Sequence, residues 1–122
     1  MKSLSSYREL IVWQKSIDLT EKIYSVTRDY PAEEKFGIIS QMRRAAASIP
    51  ANIAEGQARM TRGEFLQSLG IARGSLAELE TFLVLSDRLG FLTTTLSETI
   101  LNDCVEISKM LNSLMKSLST RH

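Results

Sequence analysis

Histidine, cysteine and proline are scarce in this sequence, and each scarcity closes off a class of chemistry. The only histidine is His122, the final residue. A Ser-His-Asp or Cys-His mechanism needs an imidazole held in place beside its nucleophile. Zinc wants several Cys or His ligands, and the chain offers one of each. A carboxylate-bridged di-metal bundle needs Glu-x-x-His pairs, which are absent. Gly70 and Gly74 are not followed by the Gly-Lys-Ser/Thr of a phosphate loop. Cys104 stands alone, so no internal disulfide can form, and its place on an apolar stripe makes it a small core residue. No apolar run approaches the ~20 residues of a membrane span. The opening MKSLSSYREL lacks the apolar segment of a secretory signal, so a cytoplasmic location is expected. Two prolines and six glycines leave room for long helices.

What is present is helical periodicity. The chain has 122 residues, 43% of them hydrophobic and 24% charged, enough for one globular domain with a real core. The spacing predicts helices over about 7–28, 33–59, 62–89 and 96–118. In the first, Leu10, Trp13, Ile17, Thr20, Tyr24 and Thr27 form one stripe, and Val12, Leu19, Ile23 and Val26 a second. Together they make a wider apolar surface than one bundle core requires. Pro31 closes this segment. In the second, Phe36, Ile39, Met42, Ala46, Ile49, Ile53 and Gly56 face the core, opposite a polar stripe through Arg44, Ser48, Asn52 and Glu55. Pro50 falls inside the pattern and predicts a kink, since it removes a backbone bond to Ala46.

The third helix opens on Thr61-Arg62-Gly63-Glu64, a capping box, and stops at Gly90, with Phe91 completing a Schellman turn. Gly70 and Gly74 lie on one side of it and are expected to allow close packing, which would offset roughly 1 kcal/mol each in helix propensity. A second capping box is read at Thr95-Leu96-Ser97-Glu98. The fourth stripe runs Ile100, Cys104, Ile107, Leu111, Leu114 and Leu118, and the tail from Ser119 to His122 is expected to fray. Four amphipathic helices joined by short connections make an all-α, antiparallel, up-and-down bundle, a single domain over residues 1–122.

Charge is nearly balanced, at +1 overall. It is uneven along the chain. From Lys35 to Arg73 six bases face two acids, a local excess of +4, which leaves −3 for the rest. Such a segment is a candidate anion-binding face built from Arg43, Arg44, Arg59, Arg62 and Arg73. Glu78 shares a stripe with Ile71, Ser75, Phe82 and Leu85, so partial burial and an ion pair to Arg43 or Arg44 are expected. Arg44 is alternatively paired with Glu55. Trp13 reads as core, with a subunit contact or a base-stacking platform as alternatives.

The segment from Ser40 to Gly56, SQMRRAAASIPANIAEG, closely resembles the signature of the 23S rRNA intervening-sequence proteins. Val12-Trp13-Gln14-Lys15, Glu34-Lys35-Phe36-Gly37 and Gly74-Ser75-Leu76-Ala77-Glu78-Leu79-Glu80 extend the likeness over about residues 7–118. The resemblance implies a bundle assembled as a barrel-like homopentamer with no enzymatic activity, and on the residue types above no cofactor or metal is expected. The accessory variability protein of diversity-generating retroelements looks like a relative. That relative is strongly basic, binds nucleic acid and partners a reverse transcriptase, whereas this chain is close to neutral.

Two functions follow. One is a homo-oligomeric scaffold that binds RNA or DNA weakly through the five arginines, since repetition around a ring raises local potential and avidity. The other is an adaptor whose partner is another protein. The structural or interface positions are Trp13, Ala47, Pro50, Asn52, Glu55, Gly56, Gly70, Gly74 and Glu78.

Overall fold

The structure, a computed structural model, describes residues 6–119. Its helices are α1 (Ile11–Thr27), α2 (Ile38–Ala58), α3 (Arg62–Leu89) and α4 (Thr94–Ser119), with short 3-10 turns at Tyr7–Glu9 and Ala32–Glu34. No strand occurs among the described residues. Helix α1 packs on α2, α2 on α3, α3 on α4 and α4 back on α1, while the backbones of the diagonal pairs stay more than 8 Å apart, Cα to Cα. That is the up-and-down topology short connections favour. Ser119 is still helical, and the rest of the tail expected to fray, 120–122, lies outside the described residues.

Both early helices start later than their periodicity predicts. Leu10 is extended, with φ −77° and ψ 125°, and separates the 3-10 turn from α1. Gly37, at φ −107° and ψ −114°, separates the second turn from α2. Glu34 Oε1 accepts from Ile38 N at 3.4 Å there, in place of an intrahelical acceptor. The Thr61 cap forms, its Oγ1 accepting from Glu64 N at 3.2 Å, but the reciprocal half of the box differs: the Glu64 carboxylate accepts from the Thr61 hydroxyl at 2.7 Å and not from the backbone N–H. The box read at Thr95 does not cap α4. Thr93 does, its Oγ1 accepting from Leu96 N at 3.2 Å, so Thr95 falls inside the first turn. The Schellman turn forms as expected, with Gly90 at φ 78° and Phe91 N donating to Ser86 O at 2.9 Å.

The core collects Leu19 and Ile23 from α1, Met42, Ile49 and Ile53 from α2, Leu69, Leu79 and Leu83 from α3, and Ile100, Cys104 and Leu111 from α4. In α1 the second stripe is the buried one. Trp13, Ile17 and Thr20 of the first are half-buried, so the surplus apolar width lies on a flank. Phe36, placed in the core stripe by spacing, precedes α2 and is 88% exposed.

Helix α2 runs unbroken through buried Pro50. Proline has no N–H for the Ala46 carbonyl. Thr20 of α1 answers that carbonyl, its Oγ1 lying 3.1 Å from Ala46 O and 2.8 Å from Ser16 O. Thr20→Val keeps the shape and removes the donor. It is expected to cost about 1–2 kcal/mol in chemical denaturation, the usual penalty of an unsatisfied buried acceptor. Wild-type stability in that variant would mean that water already serves the carbonyl.

The glycines divide differently from the sequence expectation. A methyl at Gly70 or Gly74 would meet nothing within 4 Å, so neither is a point of close packing within the chain. Gly56 is such a point: a Cβ there would lie 2.6 Å from Ser68 Cβ and 3.0 Å from Phe65 Cδ1.

Candidate functional site

The five arginines of the basic segment do not converge. Arg43 and Arg44 lie in the first half of α2, and Arg59 caps its far end, about 24 Å away at ~1.5 Å per residue. Arg59 is neutralised locally: its guanidinium meets Glu55 Oε2 at 3.0 Å and Glu64 Oε2 at 3.3 Å. Both carboxylates raise its already high pKa. Arg62 opens α3 beside the same turn, and Arg73, mid-helix, donates to Asn112 Oδ1 on α4 at 3.1 Å. The turn itself is tight, because Met60 sits in the left-handed region at φ 68°.

The expected Glu78 ion pair is absent. Glu78 faces solvent, and Arg43 turns instead toward α1. Its Nε donates to Thr27 Oγ1 at 2.9 Å and its Nη2 to Tyr24 O at 3.3 Å, with the guanidinium 4.6 Å from the Tyr24 ring centroid. Arg44 is exposed and donates to Gln41 Oε1 at 2.9 Å, not to Glu55. An offset of two residues, which turns a side chain about 200° around the helix axis, explains the difference: Glu80, not Glu78, is the half-buried carboxylate of α3, and burial raises its pKa.

The polar stripe of α2 is also displaced. Ser48 and Asn52 were expected opposite the core, yet they are half-buried at the seam with α3. Asn52 Nδ2 donates to Ser48 O at 2.8 Å, and the hydroxyls of Ser48 and Ser75 lie 2.9 Å apart. These residues tie two helices together and do not form an open polar face.

Two surface features involve the predicted residues Trp13, Ala47, Pro50, Arg43 and Arg44. Between α1 and α2 runs an apolar groove of about 320 Å³, walled by Trp13 and Ile17 on one side and by Ala47, Pro50, Ala51 and Ala54 on the other. Tyr7 closes it, its ring edge-on to Trp13 at 5.3 Å. Trp13, expected in the core, is therefore half-buried: it packs against the core and walls the groove. The alanines keep the α2 wall low, which the sequence showed only as a run of small residues. At the Arg43 end of the same face lies a basic cleft of about 360 Å³, which sequence spacing missed because it counted Phe36 as core.

Chemistry is sparse elsewhere. Among the described residues no cluster of three or more His, Cys, Asp or Glu side chains is arranged to hold a metal. No described helix is long and apolar enough to cross a membrane. Cys104 is buried, and burial pushes its thiol up to about 12. Its thiolate is scarce at neutral pH, so it is a poor nucleophile.

No curated protein matches the chain. A crystal structure of a protein of unknown function from the S23 ribosomal protein family, from Bacteroides thetaiotaomicron, superposes with a TM-score of 0.81 at 34% identity, covering 87% of this chain and 96% of that one. The sequence matches the 23S rRNA-intervening sequence protein family over residues 8–113, a span that holds both helical walls of the groove and the basic end of α2. The signature residues and the four-helix architecture thus agree, and the chain belongs to the 23S rRNA-intervening sequence protein family.

Proposed function

We propose that the protein is a non-enzymatic, cytoplasmic scaffold that assembles with copies of itself and holds RNA or DNA weakly at its basic end. The carrying observation is the α1/α2 groove, an apolar strip with an aromatic wall and a low alanine wall, which no other described residue covers. A second copy fits it, because small residues admit the close approach of another helix. A ring of about five subunits, as the family resemblance suggests, would repeat the Arg43–Arg44 end around one rim and multiply a weak affinity. The likeness to the retroelement accessory protein also favours a nucleic-acid partner. An adaptor role is favoured by a different observation: Val84, Leu85, Leu89 and Leu96 are exposed around the α3–α4 connection, an apolar patch suited to another protein.

The solution mass by light scattering after size exclusion, with the 260/280 nm absorbance ratio read on the same peak, tests both parts. A multimer whose 260 nm excess is stripped by salt is expected. A clean multimer shifts weight to the adaptor, and a monomer ends the assembly reading. Ala47→Leu fills the groove beside Trp13, and overfilling a close contact costs ~1–3 kcal/mol per interface. The variant is expected to keep its helicity and lose mass. Unchanged mass would show that the groove faces solvent in the assembly.

A further inference from the structure

We infer that the cleft at the start of α2 is a binding site for unpaired nucleotides of a single-stranded nucleic acid, with Phe36 as the stacking surface. The inference rests on the nucleic-acid part of the proposed function and narrows it to one site and one strand form.

Phe36 is the first observation. A phenyl ring left 88% exposed buries almost none of its apolar area within the chain. The second is the charge around it. Lys35 places Nζ 5.5 Å from the Phe36 centroid. Arg43 and Arg44 line the same cleft with Tyr24, and no acidic side chain lines it. Glu34, two residues before Phe36, turns its carboxylate onto Ile38 N instead.

The third observation is preorganisation. Arg43 is held by Thr27 Oγ1 at 2.9 Å, by Tyr24 O at 3.3 Å and by the Tyr24 ring at 4.6 Å. Its cation is fixed before any ligand arrives, which limits the ordering cost of binding. Arg44 is exposed and, among the described residues, tethered only to Gln41, so it can reach outward to a phosphate.

A nucleotide joins a flat π surface to an anion within one repeating unit. The base meets Phe36, and the flanking phosphates meet Lys35 and Arg44. A duplex hides its bases in the stack, so it can offer the cleft only phosphates. An acidic peptide supplies charge without a stacking face and leaves Phe36 unused. The balance of an aromatic plane and three cations without an acid therefore favours a single strand over a protein partner.

The test is fluorescence anisotropy with labelled oligouridylate and, separately, a labelled duplex of mixed sequence, at low salt and in a salt series. Wild type is expected to prefer the single strand. Phe36→Ala is expected to weaken it about fivefold or more, the weak end of what base stacking contributes, with an unchanged melting temperature because the ring is exposed. Phe36→Leu, which keeps apolar area without a π face, should lose a similar factor. Arg44→Gln should lower the slope of log affinity against log salt by about 1.

Binding of single strand and duplex alike, unaffected at Phe36, would overturn the stacking site while leaving nucleic-acid binding intact. No binding of either at low salt would sink both. Competition by polyglutamate at equal charge concentration, or a change in solution mass on Phe36→Ala, would assign the ring to a protein contact and overturn the inference.

Discussion

Gly56→Ala is expected to destabilise the protein by about 1–2 kcal/mol, although alanine favours a helix by roughly 1 kcal/mol over glycine. The new Cβ would sit 2.6 Å from Ser68 Cβ and 3.1 Å from Ser68 Oγ. A Cβ moves only with its backbone, so α2 and α3 must part along their contact. Overpacking of this kind costs ~1–3 kcal/mol. Gly74→Ala provides the contrast. It is exposed mid-helix with open space around it, so the propensity term acts alone and stability should rise by up to about 1 kcal/mol. Urea unfolding of the two variants should give shifts of opposite sign. Ser68→Gly should partly rescue Gly56→Ala, because it removes the nearest clashing atoms and leaves only Phe65 Cδ1 at 3.0 Å, and that part of the coupling belongs to the pair. Equal shifts in both single variants would show that the helices are not in contact at Gly56.

Above pH 9 the unfolding free energy is expected to fall with a slope that depends on Cys104. Its thiol is raised from 9.0 to about 12, chiefly by burial and then by the charges of Glu80 and Asp103. The folded pKa lies above the unfolded one, so the contribution is fully present below the unfolded pKa. It is lost as pH rises through the window between about 9 and about 12, where only the unfolded chain gives up the proton. One proton corresponds to about 1.4 kcal/mol per pH unit, or about 4 kcal/mol across the window. Cys104→Ala removes this term at the expense of a small cavity. Its stability should therefore start lower and decline less steeply between pH 9 and 10, before Tyr30, whose hydroxyl is also raised by burial, adds its own slope. Parallel curves for wild type and Cys104→Ala would show that the thiol ionises as freely in the fold as out of it. Labelling by a thiol reagent near neutral pH should likewise require unfolding.

Several structural features were legible because they depend on neighbours three or four residues apart. The core stripes through Met42, Ile49 and Ile53 and through Ile100, Cys104 and Leu111 are buried as their spacing implies. The Thr61 cap and the Gly90 stop also follow from local chemistry, since each bond spans only a few residues. Errors arose where two local patterns compete. Thr93 and Thr95 are equally good caps by composition; Thr93 caps α4, and the next residue, Thr94, ties that end to α3 by donating its Oγ1 proton to Asp87 at 2.8 Å. Phe36 fits the α2 stripe by counting, but Gly37 breaks the helix before the count reaches it.

The candidate site was less legible. A run of arginines within about forty residues reads as one basic segment, but an α-helix carries its ends far apart, and Glu55 and Glu64 quench Arg59. The sequence by itself determined that this is a four-helix bundle of a particular family, with one thiol on a core stripe and a single histidine. Periodicity and a long signature are properties of the chain alone. Only the tertiary structure decided which flank of α1 stays open, which glycine touches a neighbouring helix, that Thr20 serves the carbonyl freed by Pro50, and that Arg43 rests on Tyr24 while Glu78 faces water. The reason is rotational. A stripe says which residues share a helix face, but the turn of each helix about its axis is set by how all four pack together.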